Sequence, residues 1–218
     1  MKKILIMAFV LMTISMAYAQ KETDIVYIPD ENFKRILLEN EEINTNGDEE
    51  ISYKEAKNYT GIIDASDDYI KSLEGIEAFV NITMLDCAYN ELTSLDLSKN
   101  VNLEILNCVY NQLTSLDISK NTSLKILNCY SNQLTSLDVS KNTNLEQLDC
   151  SSNEFTKINL ANGNNEKIYY MLVDKNPDLK CIQIDKYFTP PAPVYYKDGG
   201  IKDGWLKDED AKYNDTCK

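Results

Sequence analysis

The sequence predicts a solenoid whose core is a curved parallel β-ladder, with short strands or turns on its convex side. We expect a small α-helical cap at the N-terminus and a disulfide-closed cap at the C-terminus. Three observations predict this architecture: a repeat every 21 residues, alternating apolar positions within each repeat, and two cysteines outside the repeat register. A fixed repeat of about 20 to 50 residues is typical of solenoids, because each unit buries its apolar face against its neighbours.

The repeat is carried by four segments that begin at Ile82, Leu103, Leu124 and Leu145. They follow the pattern L-x-x-L-x-C-x-x-N-x-L, which is the leucine-rich-repeat signature with cysteine at the second strand position. The last copy is two residues longer, and a degenerate copy precedes the array, with Ala65 at the cysteine position. The sequence therefore predicts about six leucine-rich repeats, which span residues 60–184.

The leucine and cysteine positions of each strand should point into the solenoid, because side chains alternate along a strand. The inward leucines are Leu85, Leu106, Leu127 and Leu148, and the inward cysteines are Cys87, Cys108, Cys129 and Cys150. A zinc site or a redox pair would need convergent cysteines, whereas stacked strands place them in a line with a step of about 4.8 Å. We therefore interpret these cysteines as small apolar core residues.

Residues 1–19 predict a secretory signal peptide. Lys2 and Lys3 precede an apolar run, and Ala17-Tyr18-Ala19 forms a small-x-small cleavage site before Gln20. The apolar run is too short to span a bilayer, so we expect no membrane insertion. The mature protein is expected to be secreted or held at the cell surface, and to be a monomer.

Composition narrows the classes of function. The formal net charge is −13, and an acidic surface argues against nucleic acid as a partner, since nucleic acid is a polyanion. The chain has no histidine, which removes Ser-His and Cys-His catalysis and every His-ligated metal site. These facts favour a binding protein over an enzyme.

The N-terminal cap, residues 20–59, is predicted to begin with a helix over residues 30–43. The segment that follows resembles the twelve-residue calcium loop of an EF-hand. Its predicted ligands are Asn44, Asn46, Asp48, Glu50, Ser52 and Glu55. It departs from the pattern in having asparagine at position one and Glu49 where glycine normally makes the sharp turn. The alternative is a helix–turn–helix cap in which Asn46-Gly47 is a turn and Asp48 caps the next helix.

The C-terminal cap, residues 185–218, contains the second of two cysteines that lie outside the repeat register. Cys181 and Cys217 can close a disulfide loop in an exported protein. In the chain-entropy model this bridge contributes roughly 4 kcal/mol. Trp205 is the predicted apolar anchor of the cap.

The chain resembles a known family in three segments: NELTSLDLSKN in the repeats, CIQID at residues 181–185, and the final DEDAKYNDTC. They resemble secreted leucine-rich-repeat proteins of Bacteroidetes and, more distantly, the internalins of pathogenic bacteria. The resemblance covers most of the mature chain. It implies a curved solenoid with a concave parallel sheet, extracellular placement, and recognition of a protein or a glycan.

The strand residues between the inward leucines should face the concave surface. One predicted row is Ile62, Met84, Ile105, Ile126, Gln147 and Tyr170, the next is Asp64, Asp86, Asn107, Asn128, Asp149 and Leu172, and Tyr89, Tyr110 and Tyr130 flank them. An exposed apolar row beside polar residues and tyrosines is typical of a recognition surface. The alternative is that the apolar row only supplies β-propensity and cross-strand packing.

Three functions are compatible with this pattern. The leading hypothesis is a secreted, non-catalytic recognition module that binds a protein segment or a glycan through its concave face. The second is a structural or adhesive component that self-associates. The third is a hydrolase with paired carboxylates, since Asp64 and Asp86 lie on neighbouring strands.

Overall fold

The structure, a computed structural model, describes residues 21–195 and 201–217 and confirms the predicted leucine-rich-repeat solenoid. The solenoid has about six turns, each of which contributes one short strand to an inner parallel sheet. The predicted signal peptide, residues 1–19, lies outside the described residues.

The helical elements are two α-helices and two 3₁₀ turns in the described part of the chain: α1 (Glu31–Glu39), α2 (Tyr53–Asn58), and the 3₁₀ turns Ile76–Ala78 and Asn165–Lys167. The strands are β1 (Ile62–Asp64), β2 (Met84–Asp86), β3 (Ile105–Asn107), β4 (Ile126–Asn128), β5 (Ser136–Asp138), β6 (Gln147–Asp149), β7 (Lys157–Asn159), β8 (Tyr170–Val173), β9 (Cys181–Gln183), β10 (Val194–Tyr195), β11 (Ile201–Lys207) and β12 (Lys212–Asn214).

Two sheets run along the solenoid. The inner sheet has the order β1-β2-β3-β4-β6-β8-β11-β10 and is parallel as far as β11, with β10 antiparallel at its edge. The convex sheet has the order β12-β9-β7-β5 and is parallel throughout. The convex half of the earlier turns, within the described residues, is turn and bend instead of strand.

The core is built from the repeated inward positions. Leu106, Leu127 and Leu148 are fully buried, and so are Cys108 and Cys129 on the same strands. Each strand of this array buries its central residue and leaves the two flanking residues half-buried. The alternation follows from strand geometry, in which neighbouring side chains point to opposite faces.

An asparagine ladder closes the turn after each inner strand. Asn132 is typical: its Nδ2 donates to the carbonyl oxygen of Cys129 at 3.2 Å and to that of Cys108, one turn earlier, at 2.9 Å. Its Oδ1 accepts from the backbone N–H of Leu113 at 3.0 Å. Each amide thereby pairs backbone groups of two successive turns that would otherwise be buried without a partner. The members of this ladder are Asn90, Asn111, Asn132, Asn153 and Asn176.

A second column of buried asparagines lies on the convex side. Asn121 and Asn142 donate from Nδ2 to the carbonyl oxygen of the equivalent asparagine one turn earlier, both at 2.9 Å. The Oδ1 atoms of Asn100, Asn121 and Asn142 are buried and accept no hydrogen bond from the described residues. This column also joins successive turns, but only the Nδ2 atom of each side-chain amide takes part.

The N-terminal cap differs from the sequence prediction in two details. Helix α1 ends at Glu39, not near residue 43, because Asn40 adopts an extended conformation, although Ile43 still packs into the core from the turn that follows. The alternative in which Asp48 caps the second helix is wrong. Ser52 caps α2, and its hydroxyl and backbone N–H form a reciprocal capping box with Glu55.

The C-terminal cap is held by the predicted disulfide, which is confirmed: Cys181 and Cys217 are bonded, with their Cα atoms 5.9 Å apart. The cap continues both sheets, since β11 pairs with β8 and β12 pairs with β9. Trp205 is buried, and its Nε1 donates to the carbonyl oxygen of Ile168 at 2.6 Å. The cap therefore covers the last repeat, as a solenoid requires.

Candidate functional site

The concave face consists of the outward residues of the inner sheet, which the structure places in register from strand to strand. One row is Ile62, Met84, Ile105, Ile126, Gln147 and Tyr170, and the next is Asp64, Asp86, Asn107, Asn128, Asp149 and Leu172. The rows predicted from the 21-residue repeat are therefore the same rows that the strand pairing forms. We refer to these two rows and their flanking tyrosines as the concave face.

The apolar row is less exposed than the sequence prediction implied. Met84, Ile105 and Ile126 are half-buried, and Ile62 at the start of the row is 53% exposed. Strands about 4.8 Å apart bring equivalent side chains into contact, so the members of a row shield one another. The row offers a shallow apolar strip to a ligand instead of a deep pocket.

The aspartates of the second row also close turns. Asp149 Oδ1 accepts from Ser151 N at 3.1 Å and from Ser151 Oγ at 2.6 Å, and Asp64 binds Ser66 in the same way. Asp86 Oδ1 accepts from the backbone of the residue two positions on, at 3.0 Å. Each carboxylate thus uses one oxygen locally and holds its side chain in a fixed position on the face.

Asn107 and Asn128 occupy the middle of this row. Asn107 Nδ2 donates to Asp86 Oδ2 at 2.9 Å, which links two neighbouring turns. Asn128 is half-buried, and its side-chain amide forms no hydrogen bond with another described residue. The centre of the face therefore contains a donor and an acceptor that a ligand could use.

Three tyrosines line one edge of the concave face. Tyr89 and Tyr110 stack with ring centroids 4.7 Å apart, and Tyr130 meets Tyr110 edge-on at 5.1 Å. Tyr130 follows Tyr110 by 20 residues instead of 21, so it leaves the register of the other two. The hydroxyls of Tyr110 and Tyr130 are 3.3 Å apart. Tyr89 is 56% exposed and Tyr110 is 42% exposed.

Tyr89 and Tyr110 adopt left-handed backbone conformations, with φ of 56° and 52°. This conformation is unfavourable for residues other than glycine. Ser131 and Ser152 occupy the same place in the next two turns and also have positive φ. The conformation therefore belongs to the turn before the asparagine ladder and does not mark the tyrosines as a strained site.

The opposite edge of the face carries charge. Lys125 Nζ and Glu104 Oε2 form an ion pair at 2.7 Å across neighbouring turns. Towards the C-terminal cap, burial raises the pKa of Asp174, and the carboxylates of Asp208 and Asp149 raise it further, against the effect of Lys175. Negative charge is therefore concentrated at that end of the face.

The calcium-like loop is held by its own hydrogen bonds. Asp48 accepts from Asn46 Nδ2 at 2.7 Å and from the backbone of Glu50 at 2.8 Å. Glu55 Oε1 accepts from Thr45, and its Oε2 accepts from Ser52. Burial raises the pKa of Glu55, but these hydrogen bonds together bring it below its ordinary value.

One ligand position of that loop has an unused acceptor. Asn44 is 9% exposed, its Nδ2 donates to the carbonyl oxygens of Leu38 and Asp48, and its Oδ1 is buried without a hydrogen bond in the described structure. Glu50, whose backbone carbonyl was predicted as a ligand, pairs its side chain with Lys34 at 2.7 Å. Across residues 21–195 and 201–217, no three acidic or cysteine side chains gather as a metal cluster.

The repeat cysteines behave as core residues. Cys87, Cys108, Cys129 and Cys150 are free and buried. Burial raises the pKa of each thiol, to about 12 for Cys108. Because the thiolate is the reactive form, none of these groups is poised for chemistry at neutral pH.

Sequence reasoning missed two features of this region. The convex asparagine column was not predicted, although its signal was visible in the SKN triplet that recurs at Asn100, Asn121 and Asn142. The Glu104–Lys125 pair was also missed, because opposite charges one repeat apart become neighbours only when the strands are stacked. Both features could have been found by reading each column of the repeat alignment.

The fold is shared with leucine-rich-repeat proteins of Listeria monocytogenes. The functional domain of InlJ, described as including a cysteine ladder, is 30% identical, with a TM-score of 0.61, over 76% of this chain and 39% of that one. The internalin InlF is 18% identical, with a TM-score of 0.56, over 79% of this chain and 56% of that one. Internalin C2 is 18% identical, with a TM-score of 0.57, over 78% of this chain and 82% of that one.

This chain spans less than two thirds of the length of the InlJ and InlF structures. No protein-family model matches the chain, and no curated protein sequence matches it significantly. No helix of the described residues is long and apolar enough to cross a membrane. The likeness at 18% identity concerns the fold alone.

The stacked repeats, the asparagine ladder and the two caps define a leucine-rich-repeat solenoid. Its fold is similar to that of the internalins, which agrees with the resemblance found in the sequence. Proteins with this fold typically bind other proteins.

Proposed function

We propose that this protein is a secreted, non-catalytic recognition module that binds an extracellular protein segment or a glycan through its concave face. The supporting observation is the pair of rows on that face, apolar beside Asp/Asn, with the exposed tyrosine stack along one edge. Such a mixture of apolar, aromatic and hydrogen-bonding groups is typical of binding surfaces.

The size of the face favours a narrow ligand. Six strands about 4.8 Å apart make a ladder roughly 24 Å long, and strands of three or four residues make it about 10 Å high. The flat area is therefore a few hundred Å², against about 800 Å² per partner in a standard protein interface. A peptide segment or an oligosaccharide fits these dimensions without contacts from the caps.

The proposal is tested with a glycan and host-protein array probed by the mature protein and by a Met84→Asp/Ile105→Asp double variant. We expect a ligand whose affinity falls at least about tenfold in the variant, because two charges would enter the apolar strip. Val101→Asp is the matched control, since Val101 is an exposed apolar residue away from the face. This control should retain binding.

A ligand that binds both variants equally would place recognition elsewhere on the molecule. No ligand from folded protein would favour the second candidate function, self-association. One feature favours that candidate: β10 forms the outer edge of the inner sheet, with Val194 and Tyr195 more than half exposed. At the opposite edge of the sheet, strand β1 is partly occupied, because Tyr59 Oη donates to the carbonyl oxygen of Ile62 at 2.8 Å.

Light scattering measured as a function of protein concentration would detect an oligomer formed through β10.

We also propose that the loop from Asn44 to Glu55 takes one calcium ion that stabilises the N-terminal cap. The unused, buried Oδ1 of Asn44 supports this, since it lies at the first ligand position of the EF-hand pattern. To bind calcium, the Glu55 carboxylate must give up the hydrogen bonds that it accepts from Thr45 and Ser52. We therefore expect weak affinity, with a Kd of about 0.1 to 1 mM, as in extracellular calcium modules.

Calcium is expected to raise the Tm of the native protein by a few degrees at about 5 mM, and EDTA to remove the effect. Asp48→Asn should abolish the increase, because it removes a ligand charge while keeping an oxygen for the turn. Glu49→Gln is the matched control: it removes the same charge from a neighbouring exposed residue with no predicted ligand role. An equal response in both variants, or in magnesium, would contradict a specific site.

Export is proposed from residues 1–19 together with the internalin-like fold. The Cys181–Cys217 disulfide supports this proposal, since disulfides persist mainly in oxidising compartments.

A further inference from the structure

The carboxylates of the Asp/Asn row lie towards its two ends. Asp64 and Asp86 lie on neighbouring strands at one end, and Asp149 and Asp174 lie on neighbouring turns at the other. None of these four carboxylates forms an ion pair with another described residue, whereas Lys125 is already paired with a glutamate. The face therefore presents two acidic ends whose carboxylates form no ion pair among the described residues, in a chain of net charge −13.

The centre of the Asp/Asn row is neutral. Asn107 and Asn128 separate Asp86 from Asp149, so the two aspartates are three strand steps apart. Three steps of about 4.8 Å correspond to about 14 Å. An extended polypeptide rises about 3.4 Å per residue, so its residues i and i+4 lie about 13.6 Å apart and point the same way. The distance between Asp86 and Asp149 therefore matches the distance between residues i and i+4 of an extended peptide that lies along the row.

The groups between the acidic ends suit a peptide backbone. The side-chain amide of Asn128 carries N–H donors and a carbonyl acceptor, and none of them is used within the described structure. On one side lies the strip of Met84, Ile105 and Ile126, which can take apolar side chains. On the other side lies Tyr89, whose exposed aromatic ring can attract a cation.

From this arrangement we propose that the ligand of the concave face is an extended peptide segment of about seven residues with Lys or Arg at positions i and i+4. The two basic side chains pair with Asp86 and Asp149, and the Asn128 amide between them binds the peptide backbone. The inference rests on the proposed function, and it adds the chemical class and the spacing of the ligand.

A glycan is the less favoured occupant of the same face. Tyr89 and Tyr110 stack on each other at 4.7 Å, so each ring shields one face of the other. Tyr130 lies edge-on to Tyr110. The three rings therefore do not form a coplanar platform on which successive sugar rings could lie.

The test is selection of a phage-displayed library of random heptapeptides on the mature protein, followed by calorimetric titration of a selected peptide. We expect enrichment of peptides with Lys or Arg four positions apart. In the titration, Asp86→Asn/Asp149→Asn should weaken binding by about tenfold, and 0.5 M salt should weaken it at least about threefold. Asparagine keeps an acceptor for the local turn at each position.

The matched control is Asp96→Asn/Asp117→Asn on the convex side. These aspartates make the same turn, accepting from Ser98 and Ser119 at 2.9 Å, so the variant removes equal charge from the other face. It should leave affinity unchanged. Equal losses in both double variants would indicate a diffuse charge effect and overturn the proposed pairing.

Other outcomes are also decisive. Enriched peptides without basic residues, or without the i and i+4 spacing, would overturn the inference. A glycan that binds the wild type but not Met84→Asp/Ile105→Asp would overturn it while keeping the concave face as the site. If no peptide and no glycan depends on that face, both the inference and the proposed function fail.

Discussion

Replacing Asn132 by alanine is expected to lower the free energy of unfolding by about 3 kcal/mol. The substitution leaves the Leu113 N–H without its acceptor, and the carbonyl oxygens of Cys108 and Cys129 without their donor. Each buried polar group that loses its partner costs about 1 to 3 kcal/mol. Because one amide joins two turns, the loss falls on the contact between repeats, which is what makes a solenoid stable.

The measurement is urea unfolding followed by far-UV circular dichroism, with Asn144→Ala as the matched control. Asn144 belongs to the same repeat, but it is exposed and makes one hydrogen bond, to the carbonyl oxygen of Thr122 at 3.2 Å. The control should change stability by no more than about 0.5 kcal/mol. If the two variants lose similar stability, the asparagine ladder contributes no more than a surface amide does.

The contrast between these two asparagines shows what the sequence could predict. A 21-residue period with fixed leucine, cysteine and asparagine positions predicts stacked strands, inward Leu127 and Cys129, and a turn-closing Asn132, all of which the structure contains. These features follow from local alternation repeated at a constant spacing. The rows of the concave face follow for the same reason, since their residues are fixed by the register.

The remaining features depend on contacts between turns or on competition within a loop. The half-buried state of Ile105 arises from its neighbours across the ladder, and the stack of Tyr89 on Tyr110 arises from a turn conformation that the sequence does not signal. In the cap, Ser52 and Asp48 are both good helix-capping residues, and only the reciprocal partner Glu55 favours Ser52. Whether that loop binds calcium stays a prediction.

Removing the disulfide by Cys181→Ala/Cys217→Ala is expected to lower the free energy of unfolding by about 4 kcal/mol. A bridge across a separation of 36 residues restricts the unfolded chain, and the chain-entropy model gives about this value for a loop of that length. The folded cap would still have the pairing of β11 with β8 and the hydrogen bond from Trp205 to Ile168. We therefore expect the cap to loosen before the repeats unfold.

Trp205 makes this order measurable, because it is the single tryptophan of the chain and lies buried in the cap. In the double variant, tryptophan fluorescence should change at a lower urea concentration than circular dichroism, whereas the two transitions should lie closer together in the wild type. Reductant should shift the wild type towards the variant and leave the variant unchanged. Coincident transitions in the variant would show that the cap and the repeats unfold as one unit. The disulfide would then stabilise the whole solenoid, because an open cap leaves the edge of β8 unpaired and the core of the last repeat in contact with water.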